Sequence, residues 1–143
     1  MKHLAIVTGG GTGLGRAIAV EIGQRGHPVM VVGRRAQPLQ ETAALLDDRC
    51  ETVVADVANP AGREQIVAAV GERRVAFLVH NAAVLSPVRP LARIGLEDWR
   101  QAMQINVEAP LFLTQALLPR LVGGRVLHIS SGAAHNALAG WGA

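Results

Sequence analysis

Between residues 8 and 15 the chain reads Thr8-Gly9-Gly10-Gly11-Thr12-Gly13-Leu14-Gly15, then passes through Arg16 into a segment of helical periodicity. Glycines at this density, directly after a short apolar run, let backbone N–H groups approach a pyrophosphate whose charge the next helix N-terminus stabilises. Gly9, Gly11, Thr12, Gly13, Leu14 and Gly15 are therefore candidate phosphate-binding residues. The loop contains no Lys, which separates it from a loop that grips a nucleoside triphosphate. About twenty residues on, where a second apolar run ends, a dinucleotide with a free ribose 2′-hydroxyl calls for Asp or Glu. This chain has Gly33-Arg34-Arg35 there. Two guanidiniums suit a 2′-phosphate, so Arg34 and Arg35 favour NADP(H) over NAD(H).

Other reactive residues carry less. The histidines at 3, 27, 80, 128 and 135 do not pair at ligand spacing on a helix, and Cys50 is the single cysteine, so no metal site is expected. His80 and His128 fall in or beside strands at the carboxyl edge, which is compatible with lining the cleft, and a structural role is favoured. Ser131 lies near His128 and His135, yet no Gly-x-Ser-x-Gly elbow surrounds it, which sets a hydrolase aside. Glu97-Asp98 reads as a helix start favourably charged against the dipole rather than a hydrolytic pair. Trp99 reads as core.

These residues need a scaffold, and the chain alternates short apolar runs with helix-period segments throughout, the signature of a parallel sheet covered by helices. Strands are predicted at about 3–8, 28–33, 51–55, 75–80 and 125–130, and helices near 14–25, 36–47, 60–72 and 97–120. Asn59-Pro60 is expected to cap the third helix, with proline at its first position. The longest irregular stretch, 85–96, which includes Ser86 and Pro87, follows the fourth strand at the carboxyl edge where open α/β sheets bind ligands. The predicted fold is a doubly wound α/β Rossmann sheet of strand order 3-2-1-4-5, with residues 1–143 forming a single dinucleotide-binding domain.

Composition narrows the class. With 143 residues, 50% hydrophobic and 17% charged, the chain is not intrinsically disordered. The net charge is only +3 beside a pI near 10.4. All basic side chains but Lys2 are Arg and there is no Tyr, so the high pI reflects missing titrating groups. The arginines form no block, and no nucleic-acid partner is expected. One cysteine, an amino terminus with only a short apolar run, and no segment long enough to span a bilayer point to a cytoplasmic protein without a membrane partner.

Further motifs follow in order. Ala55-Asp56-Val57 comes after the third strand, His80-Asn81-Ala82-Ala83 after the fourth, Ile105-Asn106-Val107 within the fourth helix, and Ser130-Ser131 at the end of the fifth strand. Together with Thr8-Gly9-x-x-x-Gly13-x-Gly15, this series resembles the classical short-chain dehydrogenase/reductase family along the whole chain. His80-Asn81-Ala82-Ala83 departs from the family's Asn-Asn-Ala-Gly at its first and last positions. The resemblance implies cofactor contacts at Asp56, Val57, Asn81 and Ala82. It also implies hydride transfer between a nicotinamide and a small carbonyl or alcohol substrate, a catalytic asparagine at Asn106 and a catalytic serine at Ser131. Ser130 competes for that last role, and the small residues Gly132-Ala133-Ala134 favour Ser131.

The same resemblance implies a tyrosine acid/base thirteen residues after the serine, with a lysine four residues later. That position falls just past Ala143, and Gly140-Trp141-Gly142-Ala143 reads as its lead-in. The chain is thus expected to be the amino-terminal portion of a longer reductase, homo-oligomeric at full length and inactive as given. The alternative is a catalytically silent dinucleotide-binding protein or subunit. The lead-in with Ser130-Ser131-Gly132 is similar to the sepiapterin and benzil reductase branch. The fifth strand is expected to be an uncovered apolar edge.

Overall fold

A computed structural model describes residues 3–85, 88–136 and 138–141. Lys2, Ser86, Pro87, Gly142 and Ala143, named above, lie outside them. Five strands, β1 (Leu4–Thr8), β2 (Val29–Gly33), β3 (Cys50–Val54), β4 (Val75–His80) and β5 (Arg125–His128), form one parallel sheet in the order β3-β2-β1-β4-β5. The helices are α1 (Gly13–Gln24), α2 (Ala36–Ala43), α3 (Pro60–Val70), α4 (Leu96–Met103) and α5 (Ala109–Leu117).

All five residues of β1 are buried, as a central strand covered on both faces requires. Its alternate side chains divide between two cores. Leu4 and Ile6 join Met30, Val32 and Leu78 on the face packed by Ile66 and Val70 of α3 and by Leu113 and Leu117 of α5. Ala5 and Val7 join Val29 and Val31 on the opposite face with Ala19 of α1 and Leu39 of α2. Asn59 caps α3 as expected, its Oδ1 accepting from the Gly62 N–H at 2.8 Å, with Pro60 in the first turn.

The predicted helix over 97–120 is not continuous. Between α4 and α5 lies a π-helical turn, Gln104–Glu108, and a 3₁₀ turn, Leu118–Arg120, closes the segment. Pro110 supplies a cause: lacking an N–H, it cannot complete the α-helical bond to the residue 106 carbonyl, and the wider turn accommodates the break. The helix predicted over 36–47 likewise ends at Ala43, and Asp47 takes a left-handed φ of 51°. Trp99 is 40% exposed and so is not a core residue. β5 is exposed at every position.

Candidate functional site

The carboxyl ends of the strands open onto a cleft of about 410 Å³. Its lining comprises Gly9, Gly11, Thr12, Gly13, Leu14 and Gly15 of the first loop, Arg34 and Arg35 after β2, Asp56 and Val57 after β3, and Asn81 and Ala82 after β4. Four separate loops therefore converge, because a parallel sheet delivers the carboxyl end of each strand to the same edge.

The glycine loop is shaped by contacts that only hydrogen can satisfy. A Cβ on Gly15 would run into the Gly9 carbonyl oxygen and come within 2.5 Å of the Asn81 amide. Gly13 differs: its φ of +52° needs glycine, while a Cβ there would meet nothing within 4 Å. The loop is thus tight beneath Gly15 and open at Gly13. Thr12 caps α1 without a side-chain hydrogen bond, so the first-turn N–H groups are not consumed by a cap. That open, donor-rich concavity fits a phosphate.

Thr8 fixes the junction between β1 and β4. Its hydroxyl donates to the Val79 carbonyl at 3.3 Å and accepts from the N–H groups of Asn81 and Ala82, each at 3.1 Å. The Asn81 amide returns to the carbonyls of Thr8 (3.1 Å) and Gly9 (3.2 Å). Across the cleft, the Asp56 carboxylate accepts from the Ala58 N–H at 3.0 Å. Gly62 of α3 packs so closely on the Asp56 carbonyl that a Cβ would collide with it. Arg34 and Arg35 are exposed, and neither guanidinium makes an ion pair or hydrogen bond among the described residues.

Asn106 and Ser131 lie outside the lining just described. Asn106 follows Ile105, which does line the cleft, and sits inside the π-helical turn. Its amide grips the Val84 backbone at both ends, Nδ2 donating to the carbonyl and Oδ1 accepting from the N–H, each at 2.9 Å. Ser131 is exposed, and its Oγ accepts from the Ala133 N–H at 3.2 Å, capping the 3₁₀ turn Gly132–Ala134. Ser130 is exposed beside it.

His80 is 6% exposed, its Nε2 lies 2.8 Å from Thr114 Oγ1, and its ring stacks on His128 at 4.9 Å. Burial, and secondarily the His128 charge, push its pKa down to about 4. The Cys50 thiol is pushed up to about 11 by burial and then by Glu51, which suppresses thiolate chemistry. Among the described residues, no three His, Cys, Asp or Glu are grouped to hold a metal. Nor is any described helix long and apolar enough to cross a membrane. The sequence reading overlooked the Thr8 hydroxyl as a site organiser, although Thr8-Gly9 opens its own motif. It also overlooked Arg16, for which the local pattern held no signal.

Comparison with known proteins shows the family to which the chain belongs. A model of the short chain dehydrogenase family matches residues 3–143. Serine 3-dehydrogenase of Agrobacterium fabrum (strain C58) is 32% identical over 139 residues, covering 94% of this chain and 56% of that protein. The NADP-dependent 3-hydroxy acid dehydrogenase YdfG of Escherichia coli (strain K12) is 31% identical over 133 residues, covering 90% of this chain and 54% of that protein. The chain thus spans about half the length of these curated relatives. Among solved structures, the closed form of a serine dehydrogenase complexed with NADP+ superposes with a TM-score of 0.87 at 32% identity, covering 96% of this chain and 57% of that one. A short-chain dehydrogenase from Streptomyces avermitilis gives 0.91 at 32%, covering 98% and 53%. With a family match that takes in the glycine loop, the strand-end motifs and both candidate catalytic residues, the chain belongs to the short chain dehydrogenase family.

Proposed function

We propose that residues 1–143 form the NADP(H)-binding domain of an oxidoreductase that transfers hydride between the nicotinamide and a small carbonyl or alcohol substrate. The observation that carries the reading is the cleft itself, with an open phosphate cradle at Gly13 and, on one continuous lining, the Arg34 and Arg35 guanidiniums, which make no hydrogen bond or ion pair among the described residues. The relatives add support: one is named NADP-dependent, and a similar structure is described with NADP+.

When bound, the cofactor supplies the hydride chemistry. The chain's own residues bind and orient it. The glycine loop receives the pyrophosphate at the N-terminus of α1, Arg34 and Arg35 receive the 2′-phosphate, and Asp56 with Val57 borders the adenine. Asn81 and Ala82 hold the floor toward the nicotinamide. Ser131 retains a hydroxyl proton to donate to a reacting oxygen, since its backbone bond uses it only as an acceptor. Asn106 acts by fixing the Val84 backbone beside the cleft.

The chain contains no tyrosine. On our reading the family's general acid and its lysine fall outside residues 1–143, so this portion binds cofactor without efficient turnover. The whole protein acts as a cytoplasmic homo-oligomer. The 3-hydroxy acid and serine named in the two relatives make such alcohols the first substrates to assay. Titration with NADPH and NADH tests the cofactor assignment. A lower dissociation constant for NADPH is expected, and equal affinity or tighter NADH overturns it. In the whole protein, Ser131→Ala should remove most turnover while leaving cofactor affinity nearly intact; full activity in that variant would move the role to Ser130 or elsewhere.

A further inference from the structure

Arg16 opens no predicted motif, yet its guanidinium is the most heavily engaged in the cleft region. Its Nε donates to the Gly11 carbonyl at 3.0 Å and to Thr42 Oγ1 at 3.1 Å. Its Nη2 donates to the same Gly11 carbonyl at 2.6 Å, to the Pro38 carbonyl at 3.3 Å and to the Glu41 carboxylate at 2.8 Å. The acceptors belong to two pieces of chain far apart in sequence: the glycine loop and α2. Thr42, fully buried, lies at the same junction, its Oγ1 being 3.0 Å from both the Gly10 carbonyl of the loop and the Pro38 carbonyl of its own helix. The two pieces already touch, since a Cβ on Gly11 would come within 3.0 Å of Pro38.

The consequence concerns distance. Arg34 and Arg35 immediately precede α2, and Arg35 is its N-cap. Whatever fastens α2 to the glycine loop also sets the separation between those guanidiniums and the phosphate cradle. A planar fork that reaches several acceptors at once holds such a separation better than one point charge. The side chain is 30% exposed, so the contacts are partly shielded from water.

We infer that Arg16 is a positioning residue that clasps the glycine loop to α2 and thereby sets the preference for a 2′-phosphorylated dinucleotide. The inference rests on the assignment of Arg34 and Arg35 to the 2′-phosphate. Without the clasp, the glycine loop still offers its N–H groups to a pyrophosphate, but the arginines no longer sit at a fixed reach from it. The loss therefore falls on NADPH more than on NADH.

The test compares the whole protein with its Arg16→Met and Arg16→Lys variants. The readouts are dissociation constants for NADPH and NADH, and hydrogen exchange at residues 10–13 and 38–42. Arg16→Met should lower the preference for NADPH about tenfold, with NADH affinity little changed, and both segments should exchange faster. Arg16→Lys, the milder change, should shift the preference in the same direction by less. A role confined to stability would weaken both cofactors equally and leave their ratio unchanged, which overturns the inference. If the wild-type protein shows no preference for NADPH, the 2′-phosphate assignment falls. Exchange alone then decides the clasp: faster exchange in both segments upholds it, and unchanged protection overturns it.

Discussion

Two glycines of one loop show how differently the same residue type can be required. At Gly15 the space is filled, by the Gly9 carbonyl and the Asn81 amide, so an added methyl must displace backbone on both sides. At Gly13 the space is empty and only the positive φ resists substitution. Gly15→Ala should therefore destabilise the fold by about 3 kcal/mol and abolish measurable dinucleotide binding. Gly13→Ala should cost about 1 kcal/mol in stability. Its binding should weaken because the strained φ falls in a loop that lines the cleft. Urea denaturation and cofactor titration of both variants separate the two effects, and equal stability loss would refute the packing argument. The sequence pattern marks both positions as glycine in the same way. It cannot tell them apart, because the distinction depends on how the folded loop brings the Gly9 carbonyl, and with it Asn81 from the end of β4, against Gly15.

The junction of β1 with β4 carries the same lesson at the level of elements. One buried hydroxyl, that of Thr8, satisfies two backbone N–H groups at the end of β4 and anchors to the Val79 carbonyl. Thr8→Val leaves both N–H groups without that partner, at a cost of about 2 kcal/mol. It should also weaken dinucleotide binding, since Asn81 and Ala82 line the cleft. Thr8→Ser keeps the hydroxyl and should retain most of both, as thermal denaturation and cofactor titration would show. Strand order and the burial of β1 were readable because continuous apolar runs between glycine-rich turns admit few other arrangements. Asn59-Pro60 was readable for a local reason, the cap being set within four residues. The break at Gln104–Glu108 was not anticipated, although Pro110 stands in the sequence, because proline in the first turn of a new helix and proline interrupting an old one look alike. The Arg16 clasp was hidden for a stronger reason: all but one of its acceptors lie on α2.

For the whole molecule, the sheet's β4–β5 side governs behaviour in solution. β5 presents Val126 and Leu127 at 37% and 41% exposure, and Leu111 and Phe112 of α5 are also exposed. An apolar strand edge of this kind templates pairing with other chains, so the 143-residue chain should self-associate at micromolar concentration. Sedimentation showing a stable monomer would contradict this. The same side sets an acid limit on the fold. His80 and His128 are register partners on β4 and β5 and their rings stack, with Thr114 of α5 at the His80 Nε2. Because burial lowers the His80 pKa from 6.5 to about 4, the folded chain keeps it neutral in a range where the unfolded chain binds a proton. The unfolded state then holds more protons, so stability rises with pH through that window. Its contribution is complete above pH 6.5 and is lost as pH falls toward 4. By pH 5 the loss should reach roughly 2 kcal/mol. Glu41 does not confuse the measurement, since the Arg16 hydrogen bond lowers its pKa from 4.5 and its loss begins below that value. His80→Gln removes the titrating group while leaving an amide near the Nε2 position for Thr114, and should flatten the unfolding free energy between pH 6.5 and 5. An unchanged slope in that variant would show that another group controls the acid sensitivity.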